Sequence, residues 1–269
     1  MTILDEIIRY KKHEELPRRK QEREPAMVRA EAALASPPQD FVAALRAGRG
    51  RSGVALIAEV KRASPSKGLL RHRFDPLELA EIYARGGAAA ISVLTDARYF
   101  QGRLNYLSDI KKHLAVLRLK RQPPLLRKDF IFDPYQVYEA RAAGADALLL
   151  IAAVLKDEEL ADLLALTRKL GMAALIEVHT RAELERVLPL QPRLVGVNNR
   201  NLHDFSVNLD TCIELRQYVP AEVCFVAESG IHSAADVARL ASEGIDAILV
   251  GEALVRAKDV GRKVRELAG

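Results

Sequence analysis

The stretch Val54-Ala55-Leu56-Ile57-Ala58-Glu59-Val60-Lys61-Arg62-Ala63-Ser64-Pro65-Ser66-Lys67-Gly68 sets the reading of the chain. Its first five residues are apolar and read as a buried strand. Glu59 and Lys61 then interrupt it. They lie two residues apart, so on a strand their side chains leave on the same face. A charge in an apolar strand is expensive unless it is paired or faces a polar cavity. The loop that follows, with two serines, a proline and a lysine before Gly68, suits a mobile cover over something anionic. Alone, the stretch admits two readings: a structural ion pair at a strand end, or the wall of a site.

Outward from this strand a regular alternation begins. Strand-like apolar runs occur at 54–61, 89–95, 125–130, 147–152, 173–178, 194–198, 223–227 and 247–250. Helix-period segments follow them at 76–85, 104–117, 134–143, 157–170, 181–188, 209–218, 234–242 and 260–267. Gly86, Gly144, Gly171 and Gly244 fall just past four of these helices, where a left-handed cap is wanted. Eight βα units in about 215 residues give about 27 each, the size expected of a (β/α)8 barrel. A doubly wound open sheet would favour a GxGxxG turn after the first strand, and none is there. The expected fold is α/β, a (β/α)8 barrel from residue 54 to 269. Residues 1–53 form an N-terminal helical extension packed on it. In that extension Thr2 caps an amphipathic helix over 2–16 that Pro17 stops. Further helices run over 25–34 and 41–46, and a loop spans 48–53.

Composition narrows the function. Hydrophobic residues make up 49% of the 269, enough for a sizeable core, and the net charge is +5. There is no tryptophan, and no basic helix with interleaved aromatics of the kind that grips nucleic acid. A mild preference for anionic small molecules fits better. No run reaches the ~18 apolar residues of a membrane helix. No targeting segment is visible, so the protein is expected to be soluble and cytoplasmic. Cys212 and Cys224 form no CxxC pattern, which fits a reducing compartment.

In a barrel of this kind chemistry sits where the strands run out at their C-terminal ends. Those ends read Glu59 and Lys61, Thr95 and Asp96, Arg127-Lys128-Asp129, Glu177, Asn198 and Arg200, and Glu228-Ser229-Gly230. Packing alone would put apolar residues there. Ionisable groups of both signs around one mouth point to an active site. Asp96 and Asp129 are candidate acids, though loop solvation or helix capping accounts for them equally. The last two units, Glu228-Ser229-Gly230-Ile231 and Val250-Gly251-Glu252-Ala253, read as a phosphate site built from backbone N–H groups, with the Glu252 side chain turned away. His179, two residues after Glu177, makes the one Glu-x-His pair. His13, His72, His113, His203 and His232 have no ligand spacing, so no metal is expected.

These motifs together resemble the indole-3-glycerol phosphate synthase family. The likeness rests on Glu59 to Gly68, Phe100-Gln101-Gly102, Leu126-Arg127-Lys128-Asp129-Phe130, Asp133-Pro134-Tyr135-Gln136-Val137 and Ile176-Glu177-Val178-His179. Gly196-Val197-Asn198-Asn199-Arg200 and Val226-Ala227-Glu228-Ser229-Gly230-Ile231 complete it, in order. It covers 54 to about 256 and extends into the N-terminal helices, which in that family help bind substrate.

The resemblance implies a reaction: ring closure, decarboxylation and dehydration of 1-(2-carboxyphenylamino)-1-deoxyribulose 5-phosphate in tryptophan biosynthesis, with no cofactor. Lys128 would protonate the ketone. Glu59 and Glu177 would serve acid/base work, and Lys61 would hold the substrate's acidic groups and supply a second proton. Asn198, Glu228 and Ser229 would position the substrate, supported by Arg200 and Ser64. Backbone groups at Gly230, Gly251 and Glu252 would take the phosphate, and Phe100, Phe130, Leu149 and Ile151 would wall the aromatic ring. The working unit would be a monomer or weak homodimer, with no nucleic-acid or membrane partner.

Two features depart from the family pattern: a basic, proline-ended insert over 118–124, and Arg103 in place of a small residue. Both bear on the shape of the aromatic pocket. The nearest alternatives are a phosphoribosylanthranilate isomerase-like barrel, which would want a cysteine and an aspartate as its acid/base pair, and an anion-binding scaffold without turnover. A single barrel gives no sign of a bifunctional fusion.

Overall fold

The computed structural model describes residues 2–201 and 205–269. Numbered in chain order, the helices are α1 (Ile3–Tyr10), α2 (Leu16–Glu22), α3 (Pro25–Leu34) and α4 (Phe41–Ala47) before the first strand. Then come β1 (Ala55–Val60), a two-stranded ladder of β2 (Ala63–Ser64) and β3 (Gly68–Leu69), and α5 (Pro76–Gly86). The alternation continues with β4 (Ala90–Leu94), α6 (Asn105–Ala115), β5 (Leu125–Lys128), α7 (Pro134–Ala142), β6 (Ala147–Ile151) and α8 (Asp157–Lys169). It ends with β7 (Ala173–Val178), α9 (Arg181–Val187), β8 (Leu194–Asn198), α10 (Asp210–Arg216), β9 (Cys224–Glu228), α11 (Ala234–Ser242), β10 (Ala247–Val250), α12 (Glu252–Val255) and α13 (Val260–Ala268).

Eight of these strands, β1 and β4 to β10, close into one barrel. Every neighbouring pair is parallel, and β1 closes the ring by pairing with both β4 and β10. The expected (β/α)8 architecture is therefore present. Among the described residues no helix is long and apolar enough to cross a membrane.

The side chains divide between two cores by strand parity. Inside the barrel Ala55, Ile57, Leu126, Leu149, Leu175, Cys224, Val226 and Leu249 pack together, and Phe41, Val42 and Leu45 of α4 plug the end where the strands begin. Between strands and helices lie the alternate residues, among them Leu56, Ala58, Val60, Val195, Val197, Phe225 and Ala227. With the floor closed by α4, the opposite, C-terminal end is where the barrel interior opens.

Two local expectations fail. Pro17 does not stop the first helix. The chain passes through a π-turn at Lys11–Glu15 and continues as α2, with Pro17 in its first turn. The wider turn accommodates the backbone bond proline cannot donate. Nor is Gly86 the left-handed cap of its helix. It is the last helical residue, and Gly87 takes φ 99°. Gly86 is small because a Cβ there would lie 2.5 Å from Val264 Cγ1 of α13.

Candidate active site

At the C-terminal end of the barrel lies a cavity of about 380 Å³, lined by Glu59, Lys61, Lys128, Glu177, Asn198 and Glu228 among others. Strand parity explains why they converge. Ile57, Leu126, Leu175 and Val226 point inward at the floor, so Glu59, Lys128, Glu177 and Glu228, two residues further along, point inward at the mouth.

Lys128 stands at the centre of the charges. Its Nζ lies 2.8 Å from Glu177 Oε2 and 3.5 Å from Glu228 Oε2. Burial alone would lower its pKa, but the carboxylates of Glu177, Glu228 and Glu59 outweigh burial and the net shift is upward. The two carboxyls behave oppositely. Burial pushes Glu177 up, but Lys128 and His179 overcome it, leaving the pKa lowered to about 2. For Glu228 burial prevails over Lys128, aided by the charges of Glu177 and Glu59, and its pKa rises to about 8. Of the two carboxyls, Glu228 is the one biased toward its neutral, proton-carrying form. Its Oε1 is buried with no hydrogen-bond partner. Gly196 makes room for it, since a Cβ there would lie 2.3 Å from Glu228 Oε1.

Across the cavity Lys61 Nζ pairs with Glu59 Oε1 at 2.7 Å. Gly251 at the end of β10 approaches this pair so closely that a Cβ would fall 2.3 Å from Glu59 Oε1 and 3.1 Å from Lys61 Nζ. A polar relay borders Glu177: Asn198 Nδ2 donates to Glu177 Oε1 (3.3 Å), and Ser229 Oγ donates to Asn198 Oδ1 (2.8 Å). Ser229 and Gly230 both hold positive φ, 66° and 81°. Arg200 donates to Phe205 O (3.2 Å) and lies 3.9 Å from Glu252, whose carboxylate also faces Arg256 at 3.5 Å. The Glu252 side chain is thus turned toward cations.

The apolar side of the cavity holds Phe100, Phe130, Leu149 and Ile151. The two rings meet at 6.1 Å, tilted by 42°. Ile3, Leu4 and Ile7 of α1 complete this wall, and Ser64, Ser66 and Lys67 rim it. Opposed ammonium and carboxylate groups, one carboxyl biased toward its neutral form and one toward its anion, beside an apolar wall can move protons on an aromatic anion.

The sequence profile of the family described as indole-3-glycerol phosphate synthase matches residues 4–267. The chain belongs to that family. Among curated proteins, the indole-3-glycerol phosphate synthase of Roseiflexus sp. (strain RS-1) is 55% identical over 272 residues, covering 100% of this chain and 98% of its own. That of Dehalococcoides mccartyi (strain CBDB1) is 53% identical over 231 residues, covering 86% of each. Among solved structures, 3-hexulose-6-phosphate synthase from Salmonella typhimurium superposes with a TM-score of 0.61 at 14% identity, over 80% of this chain and 97% of that one. At that identity the likeness carries the barrel fold alone.

Every residue the indole-3-glycerol phosphate synthase resemblance singles out lines this one cavity: Glu59, Lys61, Ser64, Phe100, Lys128, Phe130, Leu149, Ile151, Glu177, Asn198, Arg200, Glu228, Ser229, Gly230, Gly251 and Glu252. Asp96 and the carboxylate of Asp129 belong elsewhere. Parity sends Arg127 and Asp129 to the far side of β5 from Lys128. There Lys11 from the π-turn, 1% exposed, reaches Asp129 Oδ1 (2.8 Å), Asp96 Oδ2 (3.0 Å) and Glu15 Oε1 (3.1 Å). Arg127 joins Asp129 (3.1 Å) to Glu139 (3.5 Å), and Arg19 of α2 also meets Glu139, at 3.2 Å. Asp96 also caps the loop before α6, accepting from Tyr99 N (2.7 Å) and Phe100 N (3.1 Å). These aspartates are structural anions holding the extension.

The two departures from the family pattern stay off the cavity. Arg103 is exposed, and neither it nor any residue from 118 to 124 is among the lining residues. His203 lies outside the described residues. Sequence reasoning named no residue of α1 as a wall and gave Gly196 no role. The apolar Ile3, Leu4 and Ile7 of the amphipathic helix were the available signal for the first, and for Gly196 it was its place in the Gly196-to-Arg200 motif.

Proposed function

We propose that this cavity is where the chain, a carbon–carbon lyase of tryptophan biosynthesis, converts 1-(2-carboxyphenylamino)-1-deoxyribulose 5-phosphate to indole-3-glycerol phosphate. One observation carries the assignment of roles. A half-buried ammonium, Lys128, stands between two buried carboxyls whose pKa values are pushed in opposite directions, Glu177 down and Glu228 up, at one end of an aromatic-walled cavity.

The ring carbon bearing the carboxylate attacks the ketone carbon, and the ketone oxygen takes the Lys128 proton. The raised pKa of Lys128 holds that proton until an alkoxide, more basic still, develops beside it. The bond to the carboxyl carbon then breaks. CO2 leaves, and its electron pair restores the aromatic ring. The new hydroxyl departs as water with a proton from Lys61, while Glu59 accepts a proton from the adjacent carbon. That closes the pyrrole double bond. Atoms and charges balance without a metal or cofactor.

Glu177 fixes the Lys128 ammonium by its 2.8 Å contact and, staying an anion, draws the returning proton back to the amine. Asn198, Ser229 and Glu228 fix the ribulose hydroxyls, and Arg200 together with Lys61 takes the carboxylate. Ser64 and the backbone of Gly230, Gly251 and Glu252 receive the phosphate. All these groups come from one chain, so a monomer suffices.

Incubation with the carboxyphenylamino substrate should yield indole fluorescence. Lys128→Ala should remain folded by circular dichroism with turnover reduced at least about 10²-fold. Near-normal turnover in that variant would remove Lys128 from the acid role.

A further inference from the structure

One half-buried titratable group beside these charges, His179, has no part in the reaction. His179 follows Glu177 by two residues, one residue past the end of β7, and its side chain is 9% exposed. Its ring stands between two carboxylates: Nε2 lies 3.4 Å from Glu177 Oε1, and Nδ1 lies 3.4 Å from Glu183 Oε2. Glu183 is itself fixed in the first turn of α9, accepting from the His179 backbone N–H at 2.7 Å.

A neutral imidazole has one N–H and one bare nitrogen, so one of the two carboxylates would face a lone pair. Neither ring nitrogen makes a hydrogen bond, so the attraction is between charges, and only the imidazolium presents positive charge to both carboxylates. The surroundings agree. Glu177 faces it from its own strand, Glu183 from α9 and Glu228 from β9; Lys128 on β5 reaches it only through Glu177. Burial pulls the imidazole pKa down, but Glu183 and Glu177 outweigh burial, and the net shift is upward.

We propose that His179, held as an imidazolium between Glu183 and Glu177, is a positioning residue that keeps Glu177 ionised and aimed at Lys128 through the catalytic cycle. The proposal rests on the reading of Lys128 as the ketone's acid. When Lys128 gives up its proton, Glu177 loses its nearest cation. A buried carboxylate left alone would take the next proton itself. With His179 still charged beside it, the carboxylate stays anionic and the returning proton goes to the amine. Asn198 and His179 share Oε1 of Glu177, which leaves Oε2 for Lys128.

The test combines pH–rate profiles with an NMR titration of the His179 ring, on the full chain, for wild type, His179→Gln and Glu183→Gln. In wild type the ring should titrate above the ordinary imidazole range, and in Glu183→Gln it should fall toward it. His179→Gln should lower kcat about tenfold with KM within about threefold, and move the acidic limb of kcat up by about one unit, the size expected from losing a neighbouring charge. A ring titrating at or below the ordinary value in wild type would overturn the proposal, as would an unmoved acidic limb in His179→Gln. A failure of the parent reading looks different: Lys128→Ala would then retain turnover, whatever the histidine does.

Discussion

Lys11 Nζ lies 2.8 Å from Oδ1 of Asp129, the neighbour in sequence of Lys128. One lysine of the N-terminal extension is thus bolted to the strand that carries the central ammonium of the cavity, on the opposite face of that strand. The same lysine holds Asp96, whose other oxygen organises the loop bearing Phe100. Burial would lower the Lys11 pKa, but Asp129, Asp96 and Glu15 drive it the other way, so it is charged throughout the working range.

Lys11→Met should cost about 3–5 kcal/mol, because it leaves Asp96 buried without its cation and Asp129 with Arg127 alone. Urea unfolding reads the loss. In the same variant α1, which supplies Ile3, Leu4 and Ile7 to the apolar wall, is released, and KM should rise more than kcat falls. Stability within about 0.5 kcal/mol of wild type would refute the bolt.

The pKa of Glu228, raised from 4.5 to about 8, sets a pH dependence of stability. Between those values the native state binds more protons than the unfolded chain, so stability falls as pH rises through that window. Glu228→Gln cannot ionise and lacks the fall. Comparing denaturant midpoints at pH 5 and pH 9, the variant should gain on wild type as pH rises. A gap that stays constant would mean Glu228 titrates normally.

Gly251→Ala should damage the reacting groups as well as phosphate binding. The added methyl would occupy space now held by Glu59 Oε1, so the Glu59–Lys61 pair must move. We expect kcat to fall about tenfold or more, since misplacement by about 1 Å can cost as much as 10². Inorganic phosphate should also inhibit less well. Loss of phosphate inhibition with unchanged kcat would show that the pair can step aside.

Arg103→Ser should leave steady-state kinetics unchanged within about twofold and stability within about 0.5 kcal/mol, as for exposed positions generally. Arg103 is exposed and lines no part of the cavity. A large change in KM would show that the residue reaches substrate.

Much of the candidate site was legible because a barrel strand writes its interior in every second residue. Glu59 and Lys61 share a parity, and Lys128 and Phe130 another, so ionisable residues at strand ends mark the cavity in the sequence itself. Where neighbouring residues all carried charge, the pattern ran out. Arg127-Lys128-Asp129 looks uniform as text, yet the Lys128 side chain enters the cavity while the Arg127 guanidinium and the Asp129 carboxylate meet on the other side of the strand. Asp96 was ambiguous for a related reason: its partner Lys11 stands far away in the chain. Pro17 failed as a stop signal because a π-turn, which has no composition signature, absorbs it.

The sequence by itself determined the eight-fold alternation, the closed barrel and the set of charged residues at its mouth, because local periodicity and βα spacing are properties of neighbours along the chain. Tertiary structure alone decided which charges face each other. It biased Glu177 toward its anion and Glu228 toward its acid form, gave His179 two carboxylates, and fastened α1 over the cavity through Lys11. Those outcomes depend on burial and on distances of about 3 Å between residues remote in sequence, where the low local dielectric lets a single neighbour set the charge state.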